Sequence, residues 1–308
     1  MDKMLHLSVS PHIHSGRSTS KIMRDVLIAL LPTTVAGCII FGWRSLLVIA
    51  ACVLSCVLFE FLYNIIVKKE HTVGDLSATV TGLLLALNLP AGIPIWQCVI
   101  GSAFAILLVK CIFGGLGCNL VNPAITARVF MLVAFGSMTV QSFPVDATSS
   151  ATPLAEIANG GSPKLLDLFL GTTGGAIGET CALALLIGFA YLLIRKVITW
   201  HIPVAFIGSV FLLSFLMEGF DAMKALSLVL SGGLLIGAIF MATDYVTSPA
   251  TAVGKIIFGV GAGLFTFLIR YFGSYPEGVS FAILFMNILN PYIEMLTAHK
   301  VFGGGKKS

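Results

Sequence analysis

The sequence predicts an all-α, polytopic integral membrane protein, and three features carry that prediction. Of 308 residues, 57% are hydrophobic and only 10% are charged, against about 25% charged in a soluble domain. The 32 charged side chains are bunched between apolar runs. They cannot cover a water-exposed surface, so lipid must be the solvent for most of the chain. Apolar runs long enough to span a bilayer, about 20 residues each, recur along the whole length, and ten fit if connections are short. A soluble enzyme, a nucleic-acid binder and a secreted disulfide scaffold are thereby excluded.

Taken in order, the chain opens with a polar segment holding Lys3, Arg17, Lys21 and Arg24. It lacks the short apolar core and small-residue cleavage site of a signal peptide, and a cytoplasmic tail is expected. Helices are expected near 24–42, 45–67, 76–90, 93–113, 120–138, 176–194, 202–217, 225–243, 253–271 and 279–297. With the N-terminus inside, the inner segments hold Lys3, Arg17, Lys21, Arg24, Lys68, Lys69, Lys110, Arg195, Lys196, Lys255, Lys300, Lys306 and Lys307, 13 of the 18 basic residues. Arg44, Lys164, Lys224 and Arg270 fall outside, and Arg128 lies within the fifth run. The asymmetry satisfies the positive-inside rule with an even number of spans and both termini cytoplasmic.

A single membrane domain, 1–308, divides into a first five-helix unit (1–138), a long outer loop rich in Ser, Thr, Gly and Pro (139–175) and a second five-helix unit (176–308). The division rests on an echo. Asn119-Leu-Val-Asn122-Pro123 recurs 168 residues later as Asn287-Ile-Leu-Asn290-Pro291. In lipid, proline frees a backbone carbonyl, and the flanking Asn amides are groups that can satisfy the broken turn. Two Pro-kinked helices would explain the echo alone. An internal repeat explains more, because an odd helix number per unit inverts the second copy in the membrane.

Seven cysteines lie in or beside apolar runs without a CxxC pair, which for most of them describes small buried hydrophobes rather than a disulfide framework. Gly171-Thr-Thr-Gly174-Gly175-Ala-Ile-Gly178 has no preceding strand and reads as close packing at the start of a helix, not as a nucleotide loop. Glu60, Asp244 and Glu294 fall within or at the ends of apolar helices, where an ionisable group is costly enough to mark an ion pathway. A bridging carboxyl, a polar cap and an interfacial charge are the respective plain alternatives. Arg128 requires a counter-ion that the sequence does not assign. In the outer loop, Asp146-Ala-Thr-Ser149-Ser150-Ala151-Thr152-Pro153 could be an ordinary turn, yet Pro153 biases Thr152 towards an extended conformation. A hydroxyl held that way suits covalent attachment of a phosphate-bearing group.

Four blocks, Ser77-Ala-Thr-Val-Thr-Gly-Leu-Leu-Leu-Ala-Leu-Asn88-Leu-Pro90, Phe113-Gly-Gly-Leu-Gly-Cys-Asn119-Leu-Val-Asn122-Pro123, Phe240-Met-Ala-Thr-Asp244 and Tyr275-Pro-Glu-Gly-Val-Ser-Phe-Ala-Ile-Leu-Phe-Met-Asn287, together resemble the D subunits of Rnf complexes. These share a fold with the B subunits of sodium-translocating NADH:quinone oxidoreductases, and the shorter N-terminal segment here favours the former. The resemblance, running from about residue 20 to 300, implies a urea-transporter-like inverted repeat. It further implies a flavoprotein of the bacterial inner membrane, electron transfer between ferredoxin and NAD coupled to Na+ or H+ translocation, and the A, B, C, E and G subunits of an Rnf complex as partners. FMN would be joined through its phosphate to Thr152 by a separate flavin transferase, within a signature formed by Asp146, Ser149, Ala151 and Thr152. Ser150 stands where that signature usually has Gly. A second, non-covalent riboflavin is also implied. The chain alone would hold no catalytic residue and bind lipid but no nucleic acid. The rival reading is a solute channel on the same scaffold, with the Asn-Pro breaks lining a pore.

Overall fold

A computed structural model describes residues 18–68, 72–136, 142–144, 152–159, 161, 163–273 and 278–298. Among these the regular structure is helical, apart from one isolated β-bridge between Ser142 and Gly175. The helices are α1 (Thr19–Phe41), α2 (Trp43–Val67), α3 (Ser77–Leu87), α4 (Ile95–Ala103), α5 (Pro123–Ala134), α6 (Pro153–Ala158), α7 (Leu165–Leu170), α8 (Ala182–Ile194), α9 (His201–Met217), α10 (Ala222–Leu230), α11 (Leu234–Ile236), α12 (Ala252–Phe272) and α13 (Val279–Thr297). The helix α4 continues as a π-helix over Phe104–Cys111, and α11 over Gly237–Met241.

Every expected span has a helix at its centre, but not every one is a full span. Four helices, α1, α2, α12 and α13, are long and apolar enough to cross a membrane. The expected helix 225–243 is instead α10 and α11 with its continuation, bent by 68° at the break. The expected helix 76–90 is the 11-residue α3, about 16 Å at 1.5 Å per residue and only half of a hydrocarbon core. Both stop where the chain reaches Asn88-Leu-Pro90 or Thr243-Asp244, residues that favour turns over continued helix.

Lys21, Arg24, Lys68, Arg195, Lys196 and Lys255 mark one end of the bundle, the basic end. Arg195 pairs with Asp25 at 3.3 Å, tying the end of α8 to the start of α1, and Ser20 Oγ donates to Gly74 O, tying α1 to the approach to α3. In the first half α2 and α4 run parallel towards that end, with Ser102 Oγ donating to Cys52 O and Tyr63 OH to Cys111 O. In the second half α9 and α12 run parallel away from it. These opposed directions are what an inverted duplication would produce.

Small residues set the closest approaches. A Cβ on Gly259 of α12 would lie 2.8 Å from Ala205 Cβ and 2.9 Å from Ile202 O, and one on Gly263 would lie 2.9 Å from Phe206 O. The Gly-x-x-x-Gly spacing thus lets α12 touch the α9 backbone, the packing device available where lipid supplies no hydrophobic drive between helices. Gly82 plays the same part between α3 and α2, its Cβ position being 2.8 Å from Val53 Cα. The four long helices carry exposed apolar side chains such as Ile39, Ile66, Phe272 and Leu296, whereas nine of the 11 residues of α3 are buried. The frame faces outward and the half-helices are enclosed.

Gly259→Leu and Gly263→Leu should each destabilise the detergent-solubilised protein by roughly 1–3 kcal/mol or more through overpacking, read as a lowered thermal unfolding midpoint. Gly208→Ala, where a Cβ meets nothing within 4 Å, should leave it unchanged.

Candidate functional site

The end of α3 lies beside the enclosed helix α11 and its continuation, with Arg128 between Asn88 and Gly233 at the start of α11 and the Asn88 amide reaching the Met241 side chain. An α-helix leaves its last carbonyls unpaired, and in a membrane interior each must find a donor. The Asn88 amide turns back to donate to Leu84 O at 2.7 Å and reaches the sulfur of Met241 at 3.6 Å. Backbone N–H groups of Ile177 and Gly178 donate to Leu89 O and Leu87 O at 3.1 and 2.7 Å. Asn122 Nδ2 donates to Met241 O at 3.2 Å. The glycine-rich stretch 171–178 therefore does not open a helix as expected: α8 starts at Ala182, and the residues before it form a loop that pairs with the tip of α3.

The echoed motifs prove to be two different devices. Asn122 is an N-cap, its Oδ1 accepting from Ala124 N and Ile125 N, with Pro123 as the first helical residue. That is the favoured use of Asn and Pro at a helix start, so α5 begins here and is not interrupted here. Pro291 does lie inside a helix, α13. Asn287, with its amide oriented to satisfy both neighbours, donates to Thr247 O and accepts from Asn122 N–H, each at 3.2 Å, which brings the two copies into direct contact. Asn119 and Asn290 do not satisfy a broken turn with their carbonyls. Both Oδ1 atoms are buried without a hydrogen-bond partner.

Arg128, on α5, is buried at the same junction. Its Nη1 donates to Asn88 Oδ1 at 2.9 Å and to Ser280 Oγ at 3.1 Å, and its Nη2 lies 3.9 Å from Glu179 Oε2. The counter-ion is thus Glu179, which is not among the acidic candidates of the sequence. A carboxylate just before the apolar run of α8 is the signal that could have found it. Gly233, in the break between α10 and α11, leaves room for the pair, since a Cβ there would sit 3.2 Å from Nη1.

Glu60 is not a lone carboxyl in lipid. Lys110, expected in an inner connection, is 1% exposed within the π-helical stretch. Its Nζ donates to both Glu60 oxygens at 2.9 Å and to Ser77 Oγ at 2.6 Å. Thr72 Oγ1 donates to Glu60 Oε1 at 2.7 Å while accepting from Asn64 Nδ2 at 3.0 Å, and Asp75 accepts from Ser77 N at 2.7 Å. Beside this network a cavity of about 260 Å³ opens near the basic end, lined among others by Thr81, Lys110, Asn119, Asn122, Thr243 and Asp244. Asp244 accepts from Thr247 Oγ1 at 3.1 Å. Glu294 is exposed and accepts from Ala250 N at 3.2 Å, joining α13 to the approach to α12.

At the other end, Thr152 precedes α6 in extended backbone, φ −63° and ψ 156°. Its hydroxyl accepts from Ala155 N at 3.4 Å and the residue is buried. The expected extended conformation is present, and the residue is largely covered by protein. Leu154 of α6 packs on Gly232 (φ +68°) at the second break, and Arg270 there donates to Leu228 O and Ser231 O. Asp146, Ser149 and Ala151 lie outside the described residues.

Arg128→Ala should cost roughly 3–5 kcal/mol, because it strands Glu179 and Asn88 in the interior, and should be seen as loss of folded protein after extraction. Glu179→Gln should cost less, since Ala176 N–H, now 2.9 Å from its Oε1, retains an acceptor.

The sequence matches the NQR2, RnfD, RnfE family over residues 6–303. It is 46% identical to the D subunit of the Na+-translocating ferredoxin:NAD+ oxidoreductase complex of Acetobacterium woodii, over 97% of this chain and 95% of that protein. It is 42% identical to the D subunit of the proton-translocating ferredoxin:NAD+ oxidoreductase complex of Clostridium ljungdahlii, over 96% of each. It is 37% identical to the D subunit of an ion-translocating oxidoreductase complex of Stutzerimonas stutzeri, over 93% and 92%.

Proposed function

This chain belongs to the NQR2, RnfD, RnfE family, and from that premise we propose that it is the flavin-carrying membrane subunit of an ion-translocating ferredoxin:NAD oxidoreductase. It works with the other subunits of an Rnf complex in the bacterial inner membrane, with both termini cytoplasmic. The match to the D subunits of such complexes along almost the whole chain carries the reading. With Lys110 moved from the inner loops to a buried pair, the charge asymmetry that supports this orientation still holds.

FMN bound through its phosphate to Thr152 would supply one- and two-electron chemistry at the outer end. Thr152 fits that attachment in three respects. It offers a hydroxyl, it sits in extended backbone before a proline, and α6 is held against the second break by Leu154. Its burial means that the transferase must reach it before α6 docks, or displace the Ala155 bond.

The channel reading loses support at the junction. Leu87, Leu89, Ile177, Ile239 and Met241 are all buried there, and the tips bond to protein groups instead of lining an open path.

Thr152→Ala should abolish flavin fluorescence of the denatured chain in a gel and remove the mass of one FMN, with the protein still membrane-inserted. Thr152→Ser should retain both, and Ser149→Ala should have a smaller effect. Persistent fluorescence in Thr152→Ala would assign the attachment elsewhere.

A further inference from the structure

We propose that the ammonium of Lys110 is a tethered competitor for a sodium-sized cation. The oxygen cage that it fills, formed by Glu60, Ser77 and Thr72, becomes a cation site when Lys110 withdraws into the adjoining cavity. This deepens the reading of the chain as part of an ion translocator and rests on it.

Two independent observations lead here. The first is the cage. The three protons of Nζ are matched by three oxygens at 2.6–2.9 Å, two from one carboxylate and one from a hydroxyl, and the Thr72 hydroxyl stands 2.7 Å from the same carboxylate. Glu60 and Lys110 are 2% and 1% exposed. Carboxylate and hydroxyl oxygens converging on one dehydrated positive charge are the donor set that a hard cation takes. Apart from Lys110, these donors lie on α2, on the approach to α3 and at its first residue, so the cage can remain when the ammonium leaves.

The second observation is a place for the ammonium to go. Lys110 also lines the cavity, together with Asp244 and with Asn119, whose buried Oδ1 has no partner. A lysine that turned into the cavity would exchange one set of oxygens for another without entering lipid. It sits near the end of a π-helical stretch, the wide turn that commonly marks functional sites in helices. Lys110 then has two positions, one excluding the cation and one admitting it, and any charge change in the cavity biases the choice through differential interaction with the ammonium. A purely structural ion pair needs neither the second acceptor nor the cavity.

The test uses the assembled complex and sodium alone as the probe. Equilibrium binding of radioactive sodium is measured at alkaline pH for the wild type, Lys110→Met and the double variant Glu60→Gln/Lys110→Met. If the cage is free about a tenth of the time or less, removing the competitor raises the apparent affinity about tenfold or more, and the gain disappears in the double variant. Sodium binding in Lys110→Met equal to the wild type, in a complex that elutes intact, overturns the proposal. A second measurement needs no variant. Exchange of choline for sodium should increase modification of Lys110 by a small amine-reactive reagent, scored by peptide mass, and unchanged modification overturns the proposal as well. Covalent flavin is scored in the same samples, so a missing sodium effect with flavin retained counts against this inference alone.

Discussion

A helix that ends inside a membrane protein leaves its last carbonyls, and the negative end of its dipole, where neither water nor lipid can answer them. The structure resolves this with amide donors and one cation. Asn88, Asn122 and the N–H groups of Ile177 and Gly178 satisfy the tips. Arg128 joins the first tip to α13 and, through Glu179, to the loop before α8. The neighbouring glycines follow from this arrangement. Gly178 must let its loop lie against Leu87, and Gly233 must leave space beside the guanidinium. The short lengths of α3 and α11 follow as well, since a continuous helix at either position would have no tip and no need of these donors.

The frame is legible in the sequence because composition and periodicity act over 20 residues at a time. The centres of all ten expected helices are helical, and α1, α2, α12 and α13 differ from expectation by only a few residues at each end. The interior is less legible because its logic is tertiary. The shared motif does not itself say that Asn122 caps a helix while Asn290 sits inside one; the difference comes from what precedes it, Gly114, Gly115 and Gly117 at positive φ in one case and an unbroken apolar helix in the other. Lys110 reads as an interfacial charge because it follows an apolar run, and only its proximity to Glu60, 50 residues away, reveals a buried pair. Glu179 escapes notice because the glycines before it resemble ordinary packing. Thr152 is reached through motif resemblance, and the geometry adds that the residue is buried.

The proposed chemistry divides between the two ends. Thr152 and α6 rest on the second break, beside Arg270. The Glu60–Lys110 network and the cavity lie at the basic end, beside the start of α3. The junction of the tips connects these ends through α3 and the π-helical continuation of α11, two enclosed elements in contact with each other. The proposed electron carriage would need centres held in fixed relation, for which α9 and α12 offer backbone-to-backbone contact, and the proposed ion site would need a group able to change partners, for which Lys110 offers a long flexible side chain.

The enclosure of the half-helices bears on how such a protein tolerates different membranes. Lipid meets the exposed apolar faces of the long helices, and those helices, at 19–25 residues, can follow a thinner or thicker bilayer by tilting, at a fraction of a kcal/mol per ångström of mismatch. α3, by contrast, is buried on almost every side. Its depth is set by Arg128, Asn88 and the loop before α8, not by the hydrocarbon around the protein. The spacing between the two ends of the molecule is therefore insulated from acyl-chain length, so a shift in lipid composition with growth temperature would alter the posture of the outer frame while the internal ruler kept its length.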